Sequence, residues 1–326
     1  MTRGWSVLYP HRRVPWAALA ADGVTPARYH PDSGVVERAD PSTDPALPGL
    51  AALLRGHTLV SYRPGRRAVL AGTRAGRRCY VKVVRPSKAA ELAFRHALMA
   101  QAASAAGLDV PDIISVEPST GVVVISALDG PTLHSSLWWT EPEALARLGA
   151  AIARLAGTPA PEGLVRRDDD AAWWLDAVRR WDPDATAGMF DRIEAFVAGS
   201  ASVSQTALVH GDLHDKNLIV TGTGFGIIDL DSSAAGPEIT DLAGLLSHVE
   251  LRAVQTEVAT TMRDRVSRSL VHGYSTVRPV DCAELAFAVG RELARLAAVY
   301  RFRHPGAELC ERLLTRAERI ARGQLR

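Results

Sequence analysis

The sequence predicts an α+β protein in which a small antiparallel-sheet lobe precedes a larger, mainly helical one. Three observations lead there. Residues 57–128 string short β-type apolar runs around a single long helical stretch. After Pro131 the apolar spacing turns mostly helical, as far as residue 322. The helical part is interrupted by LVHGDLHDKNLIV, Leu208 to Val220, in which His210, Asp212, His214, Asp215, Lys216 and Asn217 crowd between two short apolar runs. A plain turn needs about two to five residues, mostly Gly, Asn, Asp or Pro, so this segment is richer than a turn requires.

The elements follow in order. Residues 1–48 are dense in turn signals, and ARYHPDSGVVERA reads as a hairpin around Pro31, Asp32, Ser33 and Gly34. A short helix fits 46–55. Strands fit 57–62, 67–73 and 78–84. Ser87 opens a helix that runs to about Ala106, where Gly107 ends it. Two strands follow at 112–117 and 121–127, and LDGPT at 128–132 reads as a connector. Helices are predicted over 141–157, 168–180, 184–198, 238–254, 256–273, 281–301 and 305–322, with GFGIIDLD at 224–231 adding a strand. The implied organisation is an extension over 1–56 that packs on or extends the first lobe, that lobe over 57–128, and the second lobe over 129–326.

Composition narrows the class. The chain has 326 residues and is 47% apolar, enough for a sizeable core, yet no apolar run reaches 18 residues. The start lacks the apolar stretch of a signal peptide. Cys79, Cys282 and Cys310 are far apart and lack metal-site spacing, as expected of core thiols in a reducing cytoplasm. Net charge is +2, but residues 1–128 carry +7 and residues 162–241 carry −9. A basic front and an acidic back suit polyphosphate on one side and cations on the other; solvated surface charge is the plainer account. The basic residues are dispersed without interleaved aromatics, which argues against a nucleic-acid partner.

Lysine is scarce: Lys82, Lys88 and Lys216 stand against 35 arginines. Lys82 lies in the apolar run CYVKVV. It is either a snorkelling edge-strand lysine or a compact cation placed where a guanidinium would be too bulky.

Asp212 and Asn217 lie five residues apart across a tight loop, and Asp229 follows 12 residues after Asn217 at the end of the next strand. A hairpin return sets Asn217 beside Asp229. Two oxygen donors with open positions make a Mg²⁺ site of the kind nucleotides use. Asp212, at the loop's start, is within reach of a substrate hydroxyl, so the set is equipment for phosphoryl transfer.

HGDLHDKN followed by IIDLD resembles the catalytic core of the aminoglycoside phosphotransferase family, whose fold is protein-kinase-like. YVKVV with Glu91 downstream, the connector VVVISALDGPTL and PEITDLAGLL extend the resemblance over roughly 57–254. It implies a nucleotide-binding first lobe, a catalytic and acceptor-binding second lobe, and transfer of the γ-phosphate of ATP, or GTP, to a hydroxyl of a small molecule such as an aminoglycoside or amino sugar. On that footing Asp212 is the base or the group that orients the acceptor hydroxyl, and Asn217 and Asp229 hold Mg²⁺. Lys82 contacts the α/β-phosphates and pairs with an acid, best Glu91. The backbone of Ser126, Ala127 and Leu128 meets adenine, and His210 and Asp241 brace the loop. His214 either touches the γ-phosphate or fills the loop.

The chain departs from the pattern in places. YRPGRRA, between the first two strands of the lobe, has one glycine rather than Gly-x-Gly-x-x-Gly, so nucleotide contacts through Arg63 or Arg66 are insecure. Leu230 stands where an aromatic often follows the metal aspartate. The extension could extend the sheet, cover the cleft or bind a partner. Gly211 occupies the place of the arginine that protein kinases pair with a phosphorylated activation loop, and only eight residues separate Asp229 from Glu238. That leaves no room for a long activation segment.

Plainer readings stand beside these roles. Glu91 could be a helix-face acid and Asp241 a first-turn aspartate. The aspartates at 168–170 read as helix caps, with substrate binding as the alternative, and Trp138, Trp139, Trp173 and Trp174 read as core rather than a ligand platform. A tailoring kinase acting on Ser or Thr of a peptide, with the extension gripping a leader, and a non-catalytic scaffold are the alternatives. No oligomeric state or membrane association is implied.

Overall fold

The computed structural model describes residues 5–10, 17–21, 25–30, 33–165, 170–182, 185–199, 205–303 and 306–323. Pro31 and Asp32 of the predicted hairpin turn, and Asp168 and Asp169, expected to cap a helix, lie outside them. The chain divides into two compact units.

The first unit comprises Met1–Ala97, Pro111–Ala127 and Phe302–His304. It opens with a four-stranded antiparallel sheet, β1 (Trp5–Tyr9), β2 (Ala17–Ala21), β3 (Thr25–His30) and β4 (Val35–Arg38), in sequential order. β3 and β4 form the predicted hairpin, with Ala27 opposite Arg38 and His30 opposite Val35. After the short α1 (Leu50–Leu53) come β5 (Thr58–Arg63), β6 (Arg67–Arg74), β7 (Arg77–Val84), α2 (Pro86–Ala105), β8 (Ile113–Glu117) and β9 (Val122–Ser126). The five strands form a second sheet in the order β5-β6-β7-β9-β8; no described residue of 1–56 adds a strand to it.

Both faces of the second sheet are covered, which is why VVVI in β9 reads as a continuous apolar run. Ala68, Leu70, Cys79, Val81, Val83, Val122 and Val124 pack on one face with Leu47 and Leu50. Val84, Val123 and Ile125 pack on the other with Ala89 and Leu92 of α2. β7 lies between β6 and β9, so Lys82, only 7% exposed, is not an edge lysine.

The second unit comprises Leu98–Val110, Leu128–Arg301 and Pro305–Arg326. α2 ends as predicted at Gly107, whose φ of +86° suits the left-handed stop of a helix. Next come α3 (Leu133–Ser136), α4 (Pro142–Ala156), α5 (Asp170–Trp181) and α6 (Ala187–Ala198). Four short strands follow: β10 (Thr206–Val209), β11 (Leu218–Val220), β12 (Phe225–Ile227) and β13 (Ala234–Pro237). The chain closes with α7 (Thr240–Thr256), α8 (Thr260–Ser275), α9 (Cys282–Arg301) and α10 (Gly306–Ala321). α9 packs against α5, α7 and α10, and α4 against α8. β10 pairs with β13 and β11 with β12, both antiparallel.

The tryptophan expectation needs correcting. Trp139 is 75% exposed, just beyond the four-residue α3. Trp173 and Trp174 are half-buried and pack edge to face at 4.6 Å. Burying an indole wants a partner for its N–H, and the short α3 leaves Trp139 at the surface.

Candidate active site

The loop from β10 to β11 is built around Asp241. This carboxylate, in the first turn of α7, is buried. Its Oδ2 accepts from the His210 amide at 2.8 Å and its Oδ1 from the Gly211 amide at 3.0 Å. His210 is fully buried; its Nε2 donates to the Ile228 carbonyl at 3.0 Å, so Nδ1 carries the lone pair that accepts from the Asp212 amide at 3.3 Å. One tautomer thus ties the start of the loop to the end of β12.

Gly211 has φ +81°, and a Cβ there would sit 2.7 Å from the Ser232 carbonyl oxygen. Neither the backbone nor the space admits the arginine that protein kinases place at this point.

Asp212 is thereby set at the loop's rim with 45% of its side chain exposed. Asn217 is buried, and its Nδ2 donates to the Asp212 carbonyl at 3.0 Å, which turns the amide oxygen away from the loop backbone. The β11–β12 hairpin makes the expected return: the Ile228 amide donates to the Asn217 carbonyl at 3.0 Å, and Asp229 is the next residue. Asp229 takes up φ 61°, ψ 50°, a left-handed conformation that ends the strand and starts a 3-10 turn. One amide oxygen and one carboxylate on a single hairpin fit a hard divalent cation that keeps waters and phosphate oxygens as its other ligands.

Beneath the loop lies a network that sequence reasoning missed. Asp215 is completely buried. Arg252 of α7 grips it with Nε at 2.8 Å and Nη2 at 3.3 Å, and His134 of α3 contributes its Nδ1. Burial alone would raise the Asp215 pKa; His248, Arg252 and His134 outweigh it and hold the carboxyl well below the usual range. His248 Nδ1, at 3.6 Å from Oδ1, is an electrostatic neighbour rather than a hydrogen bond. Asp215 was visible among the crowded side chains, but His134 lies 81 positions before it and Arg252 37 after, so no local pattern joins them.

His214 stacks on His248 with ring centroids 4.6 Å apart and planes at 20°. Burial, helped by His248, pushes the His214 pKa down to about 4, so the ring is neutral at pH 7. Its Nδ1 accepts from the Lys216 amide at 3.1 Å and its Nε2 is 4.0 Å from Asp212 Oδ2. His214, Asp215 and His248 offer ligand atoms within 4.8 Å of one another. Arg252 holds the carboxylate and the Lys216 amide occupies His214 Nδ1, so this cluster braces the loop.

A second clamp holds the hairpin. Asp109 accepts from the hydroxyls of Thr221 and Thr223, each at 2.6 Å, and these bonds lower its pKa. Its amide donates to Phe225 O at 3.0 Å and its carbonyl accepts from Ile227 N at 2.9 Å.

In the first unit, the Lys82 strand register sets it opposite Val69 and Val123. Glu91 is the acid expected to pair with it. Its two oxygens are engaged by Lys88 Nζ at 2.6 Å and Arg95 Nη2 at 2.5 Å, both on α2, and these cations lower its pKa. Helical spacing of three and four residues favours these pairs. Arg63 is likewise engaged, its guanidinium 4.4 Å over the Tyr9 ring, while Arg66 is exposed. The amides of Ser126 and Ala127 donate to Asp112 O at 2.9 Å and Arg78 O at 3.1 Å, so they are already used within the unit. Leu128 belongs to the second unit.

The family described as phosphotransferase enzyme family, APH, matches residues 65–280, more than half of the chain. The chain belongs to that family. Comparison with curated proteins returns no match. Among solved structures, this phosphotransferase is similar to the amicoumacin kinase hAmiN in complex with AMP-PNP, Ca²⁺ and Ami, at 14% identity and TM-score 0.61 over 84% of this chain and 92% of that one. It is also similar to aminoglycoside phosphotransferase APH(3'')-Id from Streptomyces rimosus, at 20% identity and TM-score 0.53 over 76% and 96% of the two chains. A choline/ethanolamine kinase family protein from Mesorhizobium loti matches at 19% identity and TM-score 0.54 over 86% and 92%. At these identities the likeness speaks for the fold, which is the kinase-like one the sequence implies. The enzyme is an ATP-dependent small-molecule phosphotransferase. Among the described residues, no helix is long and apolar enough to cross a membrane.

Proposed function

We propose that this phosphotransferase moves the γ-phosphate of ATP to a hydroxyl of a small natural product, an aminoglycoside, an amino sugar or a related compound, in the cytoplasm. GTP is the alternative donor. The observation that carries the reading is the loop presented by Asp241: it offers the exposed Asp212 carboxylate one short loop away from Asn217 and Asp229. Asp212 orients the acceptor hydroxyl and takes its proton as the oxygen bonds to the γ-phosphorus and the nucleoside diphosphate leaves. Asn217 and Asp229 would hold Mg²⁺, which supplies charge neutralisation at the β- and γ-phosphates when bound. Lys82 adds a compact cation for the donor phosphates, and the backbone of Ser126, Ala127 and Leu128 would meet the base.

The acceptor class is argued from charge. Residues 162–241 carry a net −9. A net negative stretch around the catalytic loop favours a cationic substrate. The similar structures, which include macrolide, aminoglycoside and choline kinases, give the panel to try.

The test is release of nucleoside diphosphate across such a panel, repeated with Asp212→Asn. A cationic acceptor is expected to turn over, and the variant to lose about 10²–10⁴ in turnover, the usual share of a positioned base, with nucleotide KM little changed. A variant that keeps more than about a tenth of the turnover, short of that range, removes Asp212 from the role.

A further inference from the structure

The connection between β5 and β6 is a tight turn, Arg63-Pro64-Gly65-Arg66, closed by the Arg66 amide donating to the Arg63 carbonyl at 3.0 Å. Proline at the second position and glycine with φ +68° at the third are what a type II turn requires. The turn is tied from outside the sheet that carries it. Asp44, only 7% exposed, accepts on Oδ2 from the Gly65 amide at 2.7 Å and from the Tyr62 hydroxyl at 2.8 Å. Its Oδ1 accepts from the Ala46 amide at 3.0 Å.

A third tie uses the first sheet. The Arg63 guanidinium lies 4.4 Å over the ring of Tyr9 in β1. Burial, with Arg67 adding to it, pushes the Arg63 pKa down to about 10, so the group is still charged at neutral pH and makes a cation–π contact. β1 is itself anchored, its Leu8 amide donating to the Phe302 carbonyl at 2.8 Å.

We propose that the segment ahead of β5 is a fixed brace for the β5–β6 turn, and that its Asp44 is a positioning residue for binding of the donor nucleotide at that turn. This rests on the phosphotransfer reading, in which the turn stands where kinases carry a mobile glycine-rich loop. A mobile loop loses conformational freedom when it closes on phosphates. Here the freedom is already removed: one turn flank is held through Tyr62 and Arg63, and the apex amide through Gly65. The Gly65 N–H is thereby withheld from the phosphates, and the backbone that carries exposed Arg66 is held in one place. The brace also gives the extension a task inside the enzyme.

The experiment uses full-length protein and measures binding of a non-hydrolysable ATP analogue with Mg²⁺ by calorimetry, together with amide hydrogen exchange. Asp44→Asn cannot satisfy all three donors, because an NH₂ group must face one of them. The expected result is a donor Kd raised about tenfold, the size of one charge-assisted hydrogen bond, faster exchange at Gly65, unchanged protection in β7 and β9, and an acceptor KM within about twofold. Tyr62→Phe deletes one of the bonds and leaves the carboxylate buried and paired, so it serves if Asp44→Asn does not fold; a donor Kd raised about threefold is then expected. In Asp44→Asn, unchanged exchange at Gly65, or released exchange with an unchanged donor Kd, overturns the proposal, as does an unchanged donor Kd in Tyr62→Phe. Failure of the wild-type protein to bind the analogue would instead sink the phosphotransfer reading.

Discussion

Asp229 holds φ 61°, ψ 50°, a region that costs a residue with a Cβ about 1–3 kcal/mol. Asp and Asn bear it best, because a short polar side chain can bond locally. Strain of this kind is retained where the surroundings over-determine it, and here the hairpin bond from Ile228 to Asn217 and the 3-10 turn that follows supply the constraint. The two variants of this residue should therefore separate chemistry from strain. Asp229→Asn keeps the left-handed backbone and removes a charge, so it should weaken Mg²⁺-dependent nucleotide binding by more than about tenfold, since even changes outside the ligand set cost that much, with little change in melting temperature. Asp229→Ala should lose the same binding and also some stability. Calorimetry with Mg²⁺ and an ATP analogue, beside a melting curve, reads both, and undiminished affinity in the Asn variant would remove Asp229 from the metal site. The residue's position was legible because an acid closing the strand GFGIID stands out; its backbone conformation was not, since Asp is compatible with several turn types.

At the scale of elements, α7 does two jobs through residues eleven positions apart. Asp241 in its first turn sets the start of the catalytic loop, and Arg252 near its end grips Asp215 in the middle of that loop. The hairpin β11–β12 and the helix α7 were legible because LIV, FGI and the spacing of Leu242, Leu245, Leu246 and Val249 match strand and helix periods. β13 was not: AAGP is too small and too short to alternate, and it becomes a strand because β10 supplies the pairing edge. The contacts of Asp215 were also invisible, being purely tertiary.

Removing one partner from a buried ion pair costs about 3–5 kcal/mol, so Asp215→Asn should lower stability by that order. Its acid dependence follows by sign. The Asp215 pKa is depressed in the folded state, so its contribution is present in full above the unfolded carboxylate range, about pH 4, and fades as pH falls below it. The wild type and Asp215→Asn should therefore differ most near neutral pH and converge in acid. Urea denaturation from pH 7 to pH 3 checks this, and a difference that stays constant across the range would mean that Asp215 is not held ionised. His134→Ala removes only the half-exposed partner and should cost less.

For the whole molecule, the two units cut across chain order. Residues 98–110 side with the helical unit, where Asp109 is stitched to the hairpin of Asn217 and Asp229, and residues 302–304 side with the strand-rich unit, where Phe302 meets Leu8. Neither assignment can be read from local periodicity, which sees only neighbours in sequence. The cysteines report on the two units separately. Cys79 is buried in the first, between the sheet and α1, and Cys310 is buried in the second, where burial pushes its thiol up to about 12. Cys282, at the start of α9, is exposed, and all three are free thiols. Because the thiolate is the reacting form and must be reached by reagent, a native sample should give one fast equivalent with an aromatic disulfide reagent and three once denatured. Raising urea stepwise then exposes Cys79 and Cys310 as their own units open. Variants retaining only one of the two buried cysteines would assign each phase. Three fast equivalents without denaturant would mean that neither core closes over its cysteine.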